Sequence, residues 1–234
     1  MNLKITEVEH YTDNLFRIRT ERPNTFRFTA GEFTMLGMGD NDIMRAYSFT
    51  SGPYDEYLEF YSIKVPNGPL TSRLQHIKVG DEIEVGEKPT GTLTTANIEL
   101  GGDLWLLATG TGIAPFISLL RDPTTYDHFD YIRVIWSVRE QDELLAYNRF
   151  LQDLDIEYLP IVTQDPEWPF ESKRITKLMS EGLLINDDPI LNKVMICGSM
   201  SFNNDVKELL ISKGWEEGNR KTAGTFVQEK AFVS

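Results

Sequence analysis

The sequence predicts two domains: a six-stranded antiparallel β-barrel over residues 1–98, then an open parallel α/β sheet with helices on both faces over residues 99–234. Three observations predict this. From Asn2 to about Asn97, short alternating or aromatic-rich runs are separated by Gly and Pro, the texture of turn-linked strands. From Gly101-Gly102 onward, continuous apolar runs alternate with segments of helical period. Such alternation builds a parallel sheet, because each crossover between parallel strands needs a helix-length segment.

In the first half, LKITEV, LFRIRT, FRFTA and FTMLGM read as strands, with Pro23, Gly31 and Gly39 as punctuation. Arg45 to Ser51 reads as a strand on which Arg45, Tyr47 and Phe49 share one face. After the Gly52-Pro53 turn, LEFYSIKV is another strand, PNGPLTSRLQHI a loop entering a short helix, and GDEIEVGEKPTG a turn, a strand and a turn. In the second half, LWLLA, YIRVIWSV, EYLPIVT and KVMICG are buried strands, and TFVQEKAFV is a terminal one. Helices are expected over Ile113–Leu120, over DELLAYNRFLQDL, over ITKLM with Gly182 as its stop, and over FNNDVKELLISKG. Ser201 is the expected cap of the last, with Asp205 in its first turn.

Composition bounds the function. The 234 residues are 41% hydrophobic and 25% charged, as in a soluble globular protein, and the net charge of −13 argues against nucleic acid as a partner. The single cysteine, Cys197, excludes an internal disulfide framework and a cysteine-ligated cluster. His10, His76 and His128 match no zinc spacing. The opening MNLKITEVEH has no apolar signal core, so a reducing, cytoplasmic setting is expected. The uncharged run Leu104–Leu120 is broken by Gly110, Gly112 and Pro115, so no membrane insertion is expected. GxSxG, HExxH and GxxxxGK[ST] are absent, which removes the common hydrolase and P-loop readings.

Four motifs carry candidate chemistry. Arg45 beside Tyr47 offers a cation next to an aromatic plate, suited to a ligand with an anionic part and a flat ring, or is an ordinary strand with an exposed Arg. GTGIAP, directly after a buried strand, lets backbone N–H groups approach phosphates at a helix start, or is a tight turn that binds nothing. Cys197-Gly198-Ser199 ends another parallel strand and looks into the same crevice, with the thiol there for chemistry or for packing. Arg139 and Arg174 are placed to reach an anion at that crevice, and the hydroxyls of Asn67–Ser72 hold a phosphate or cap the short helix.

In this order RAYS, GPLTS, GTGIAP, CGS and the terminal EKAF resemble the ferredoxin–NADP(+) reductase family, of the bacterial FAD-containing branch, over essentially the whole chain. The resemblance implies FAD as cofactor, NADPH as substrate with NADH possible, and ferredoxin or flavodoxin as partner of a monomeric enzyme. It implies that Arg45 contacts the FAD pyrophosphate, that Tyr47 stacks on the isoalloxazine, and that Ser48 lies near N5, with Ala46 between them. Tyr61 takes the next flavin position; Pro69, Leu70 and Thr71 hold the pyrophosphate; Thr111 and the terminal Phe232 approach the ring. Phe232 would move to admit the nicotinamide. Ser48, Cys197 and Glu229 are implied as the catalytic polar set, and Gly110, Gly112, Arg139, Thr163, Arg174 and Gly198 as the NADP site.

One departure stands out. The family pattern has an arginine after Val162-Thr163, where this chain has Gln164. Arg139 and Lys173 are candidates to compensate, and the reading favours NADPH. Two other readings compete: an NAD(P)H reductase serving an oxygenase or free flavin, and a flavin subunit that only relays electrons within a complex. The last predicts loss of the nicotinamide site, and GTGIAP, CGS and Arg174 are all present. An acidic partner needs a local positive face, for which Lys64, Arg73, Lys78 and Lys230 are candidates.

Overall fold

The computed structural model describes residues 1–39, 43–65, 67–170 and 172–230. Among them, β1 (Asn2–His10), β2 (Leu15–Glu21), β3 (Phe33–Gly37), β4 (Met44–Ser48), β5 (Tyr57–Ile63) and β6 (Glu82–Val85) form one antiparallel sheet in the order β4-β3-β6-β1-β2-β5. Its two ends meet where Phe49, just past β4, bridges Phe60 of β5. Closure removes the unpaired edges that would otherwise template association. The core is Phe16, Ile18, Leu36, Phe49, Phe60 and Val85 with their neighbours.

The FRFTA segment is not a strand. Arg22 instead donates to the Phe26 carbonyl (Nη2, 3.0 Å), and Phe26 and Phe28 plug the barrel, Phe28 stacking on Phe49 at 4.1 Å. Phe49 is therefore a core residue with 0% exposure, and leaves the face it was expected to share with Arg45 and Tyr47.

The second sheet is wholly parallel, in the order β11-β10-β7-β8-β9, from β7 (Asp103–Thr109), β8 (Tyr131–Val138), β9 (Glu157–Val162), β10 (Asn192–Gly198) and β11 (Phe226–Lys230). The interior strand β10 is buried along its length, which explains its unbroken apolar run. The helices in chain order are α1 (Thr71–Leu74), α2 (Ala114–Leu120), α3 (Pro123–Tyr126), α4 (Asn148–Gln152), α5 (Ile175–Ser180) and α6 (Met200–Ser212). The periodic stretch from Asp142 does not make one helix. It forms a 3-10 turn over Gln141–Leu144 and then α4, because Tyr147 between them has φ −135° and ψ 0°. Leu144, Tyr147 and Leu151 are still buried, whereas Leu145 of the same periodic set is 60% exposed, so the period reported burial in part and continuity not at all. Gly182, at φ +70°, ends α5 as expected. The cap of α6 is Ser199 rather than Ser201, because the helix begins as soon as β10 ends; Ser199 Oγ accepts from Phe202 N, and no acid lies in the first turn.

The chain divides into two compact units. One comprises Met1–Gly91 with Ala114–Asp122, and the other Thr92–Ile113 with residues 123–230. The division falls before the 98/99 boundary read from composition. Residues 92–99 bond into the second unit, through Thr92 to Gln228 and Glu229 and through Glu99 N to the Gly224 carbonyl.

Within the first unit, Glu59 of β5 has 0% exposure and is surrounded by cations. Its carboxylate meets Arg17 Nη1 at 3.0 Å, Arg19 Nε at 2.7 Å and Arg121 Nη1 at 3.1 Å, and accepts from Thr50 Oγ1 at 2.9 Å. Burial alone would raise its pKa, but Arg121, Arg17 and Arg19 outweigh burial and hold it below the ordinary glutamate value. A depressed folded-state pKa contributes stability above the ordinary glutamate range, and that stability is lost as pH falls through the folded value. Glu59→Gln should therefore cost about 3–5 kcal/mol at neutral pH, as expected for breaking a buried ion pair. Its acid-side Tm loss should also be shallower than that of the wild type; thermal melts between neutral and acid pH check both outcomes.

Candidate functional site

In the first unit, β4 pairs with β3 and presents Arg45 exposed, with Ala46, Tyr47 and Ser48 half-buried. Arg45 Nη1 donates to the Met44 carbonyl at 3.0 Å, and its guanidinium has no acidic partner among the described residues. The Tyr47 ring stands edge-on to Phe60 at 6.5 Å, and its hydroxyl is 3.2 Å from Ser62 Oγ. Burial raises the Tyr47 phenol pKa, so it is a neutral hydrogen bonder. Ser62 is thus part of the Tyr47 environment, although the sequence reading passed over it. Ser62 lies two residues from Phe60 on the same strand face, but nothing local marks it as a partner of Tyr47. Tyr61, between them, is buried with its ring edge toward Tyr11 at 6.3 Å.

The Asn67–Ser72 loop brings Pro69 to the surface, buries Leu70 in the core and leaves Thr71 half-buried. Thr71 Oγ1 donates back to the Val65 carbonyl at 3.3 Å, and no side chain caps α1, which sets aside the capping alternative. A Cβ at Gly68 would overlap Thr71 Oγ1 and crowd the Val65 carbonyl, so a side chain there would force Thr71 to shift.

In the second unit, the two glycine motifs come together. A Cβ at Gly112 would overlap the Cys197 carbonyl, and one at Gly198 would overlap Thr109 Oγ1. Thr109 Oγ1 also accepts from Ser199 N at 3.2 Å. Gly110 has φ +52°, and its carbonyl accepts from Trp136 Nε1 at 2.9 Å; Thr111 beside it is half-buried. Backbone at the carboxyl ends of β7 and β10 therefore lies as close as glycines permit, which is the shape of a phosphate-binding crevice in an open parallel sheet.

Arg139 follows β8 and Gln164 follows β9, and Gln164 N donates to the Arg139 carbonyl at 2.8 Å. Thr163 Oγ1 donates to the Val138 carbonyl at 3.0 Å, so it ties the two strand ends together. Arg139 and Arg174 are exposed, and neither guanidinium makes a hydrogen bond or ion pair among the described residues. Lys173, by contrast, bonds Glu181 at 2.9 Å. Cys197 is 2% exposed; burial, and then the Glu229 carboxylate, push its thiol well above the usual range. It is held as a neutral thiol. Glu229 is its in-register partner on β11 and bonds Thr92. That long-range contact had no signal in the sequence. Phe232 lies outside the described residues.

Residues 106–208 match the family of oxidoreductase NAD-binding domains. Ferredoxin–NADP reductase A of Sorangium cellulosum is 43% identical over 98% of this chain and 89% of its own length. Flavodoxin/ferredoxin–NADP reductase of Rhodobacter capsulatus is 44% identical over 98% of this chain and 92% of its own. A ferredoxin NADP+ reductase from Neisseria gonorrhoeae, solved with bound FAD and NADP, superimposes with a TM-score of 0.91 at 31% identity, covering 99% of this chain and 98% of that one. The chain belongs to the ferredoxin–NADP reductase family. Among the described residues no His, Cys, Asp and Glu group could hold a metal, and no helix is long and apolar enough to cross a membrane.

Because Gly112 abuts backbone, which cannot yield as a flexible side chain can, Gly112→Ala should destabilise by about 1–3 kcal/mol. Denaturant unfolding measures this directly. Gly110→Ala, which meets no atoms but adopts a positive φ, should cost less.

Proposed function

We propose that this protein is a flavoenzyme that passes electrons between NADPH and a one-electron carrier protein, ferredoxin or flavodoxin. The observation that carries the reading is the pairing, in one chain of this family, of an unneutralised Arg45 beside the Tyr47 plate with a glycine crevice at the ends of β7 and β10. The first suits a ligand with a pyrophosphate and a flat ring. The second suits the pyrophosphate of a dinucleotide. These residues fit FAD and NADP in turn. When bound, FAD supplies the conversion between a two-electron hydride and single electrons.

The chain's own residues do the placing. Arg45, with Pro69, Leu70 and Thr71 of the Asn67–Ser72 loop, holds the pyrophosphate of FAD. Tyr47, braced by Phe60 and Ser62, faces the ring, with Ala46 and Ser48 beside it; Tyr61, Thr111 and Phe232 complete that set in the family pattern. Gly110, Gly112 and Gly198 let backbone N–H groups approach the NADP pyrophosphate. Arg139, Thr163 and Arg174 serve its adenosine end; Ser48 of the first unit, and Cys197 and Glu229 of the second, are the polar residues that the family pattern assigns to hydride transfer. A neutral Cys197 offers a packing surface and a weak S–H donor rather than a competing nucleophile.

The purified protein should be yellow and should bleach on anaerobic titration with NADPH; added ferredoxin or flavodoxin should then reoxidise it. A protein that binds no flavin, or one that NADPH and NADH both fail to bleach, overturns the proposal. Reoxidation by free flavin with no response to either carrier protein favours the reductase of free flavin.

Nucleotide preference rests on two free guanidiniums where the family pattern has a further arginine at position 164. Gln164→Arg should raise the NADPH-over-NADH ratio of kcat/KM by about 10- to 100-fold, the range expected for one charge-assisted bond. Arg174→Ala should lower the ratio similarly. Steady-state kinetics with the two nucleotides reads both changes.

A further inference from the structure

We infer that Thr92 is a positioning residue for the reaction, fixing the Glu229 carboxylate beside the Cys197 thiol. The inference rests on the reading that Cys197 and Glu229 face the nicotinamide. Three observations support it. First, β10 and β11 are parallel neighbours with Cys197 opposite Glu229, so their side chains leave the sheet on one face. Second, Thr92 reaches β11 across 137 residues of sequence, its N–H donating to Glu229 Oε1 at 3.1 Å. Its hydroxyl lies 2.9 Å from the Gln228 carbonyl and 3.4 Å from the same Oε1. One hydroxyl proton cannot serve both fully, so the shorter bond ties residue 92 to the strand while the N–H takes the carboxylate. Third, the donor is itself braced. Asn97 Nδ2 donates to the Thr92 carbonyl at 3.1 Å and to Thr94 Oγ1 at 2.9 Å, and Gly224 N donates to the Asn97 carbonyl at 3.2 Å. On the other side, Asn203 Nδ2 of α6 donates to the Glu229 carbonyl at 2.9 Å.

A glutamate has three side-chain torsions, and a carboxylate left to itself spreads over many rotamers. A donor on a braced loop removes that freedom before substrate arrives, and such preorganisation speeds the chemical step rather than tightening binding. Thr92 touches neither thiol nor substrate in this scheme; it acts through Glu229.

Cys197 is the single cysteine, so thiol alkylation reads this site without ambiguity. Thr92→Val, Thr92→Ser and Glu229→Gln would be prepared as holoenzymes. Iodoacetamide reactivity would be followed against pH, and hydride transfer from NADPH by stopped flow. Thr92→Val keeps the shape and the N–H but loses the tie to β11. It should shift the alkylation profile toward lower pH, in the direction of Glu229→Gln, because the carboxylate no longer stays beside the thiol. Hydride transfer should slow by up to about tenfold with KM unchanged, the scale of one lost neutral hydrogen bond. Thr92→Ser should behave as wild type. If Thr92→Val changes neither readout, or Thr92→Ser is equally impaired, Thr92 does not position Glu229. If Thr92→Val and Glu229→Gln both shift alkylation while hydride transfer stays unchanged in both, the hold of Thr92 on Glu229 stands and the catalytic role of Glu229 falls. If only Glu229→Gln slows hydride transfer, that role stands and the inference falls.

Discussion

The ionised carboxylate of Glu59, buried in the barrel unit, is the interaction that most of that unit leans on. A carboxylate without water is costly, and it stays charged here only because three guanidiniums and a hydroxyl converge on it. Those partners come from β2, from the segment after β4 and from the end of α2. One charge thus fixes three separate pieces of chain. The segment after β4 is held twice more. Glu59 N donates to Ser51 Oγ at 3.1 Å, and Ser118 Oγ of α2 donates to the Ser51 carbonyl at 2.7 Å. Thr50 and Ser51 are spent on these bonds, which lock the end of the strand that carries Arg45 and Tyr47.

Much of the fold was legible because its signals are local. The parallel strands are bounded apolar runs, and the barrel strands alternate between turn residues. Where the reading differed from the structure, a tertiary effect had overridden the local pattern. FRFTA has the composition of a strand, but its phenylalanines are worth more inside the barrel than on a ladder. The stretch from Asp142 has helical period, yet a break at Tyr147 divides it without moving the buried residues. At the site, the glycine motifs were legible because only glycine permits backbone to approach as Gly112 approaches Cys197. Ser62 and Thr92 were not. A serine in a strand and a threonine in a linker carry no local mark, and their partners lie 15 and 137 residues away.

Cys197 shows how one environment can serve packing and chemistry together. The burial that fills the end of β10 also keeps the sulfur protonated, and the neighbouring Glu229 reinforces that state. Peroxide, like alkylating reagents, reacts with thiolate. A thiol held neutral inside a redox protein is therefore slow to oxidise.

The assignment of Ala114–Asp122 to the first unit bears on how the chain is made. Glu59 emerges early in synthesis, with Arg17 and Arg19 already present, but Arg121 follows more than sixty residues later in the sequence. Until it arrives, the carboxylate lacks one of its three cations, and Ser51 lacks the Ser118 hydroxyl. A nascent barrel ending at residue 98 is thus incomplete in its most expensive burial. The two units cannot be separated by a single cut without taking α2 from the first, so the ribosome must deliver the opening turns of the second before the first can close.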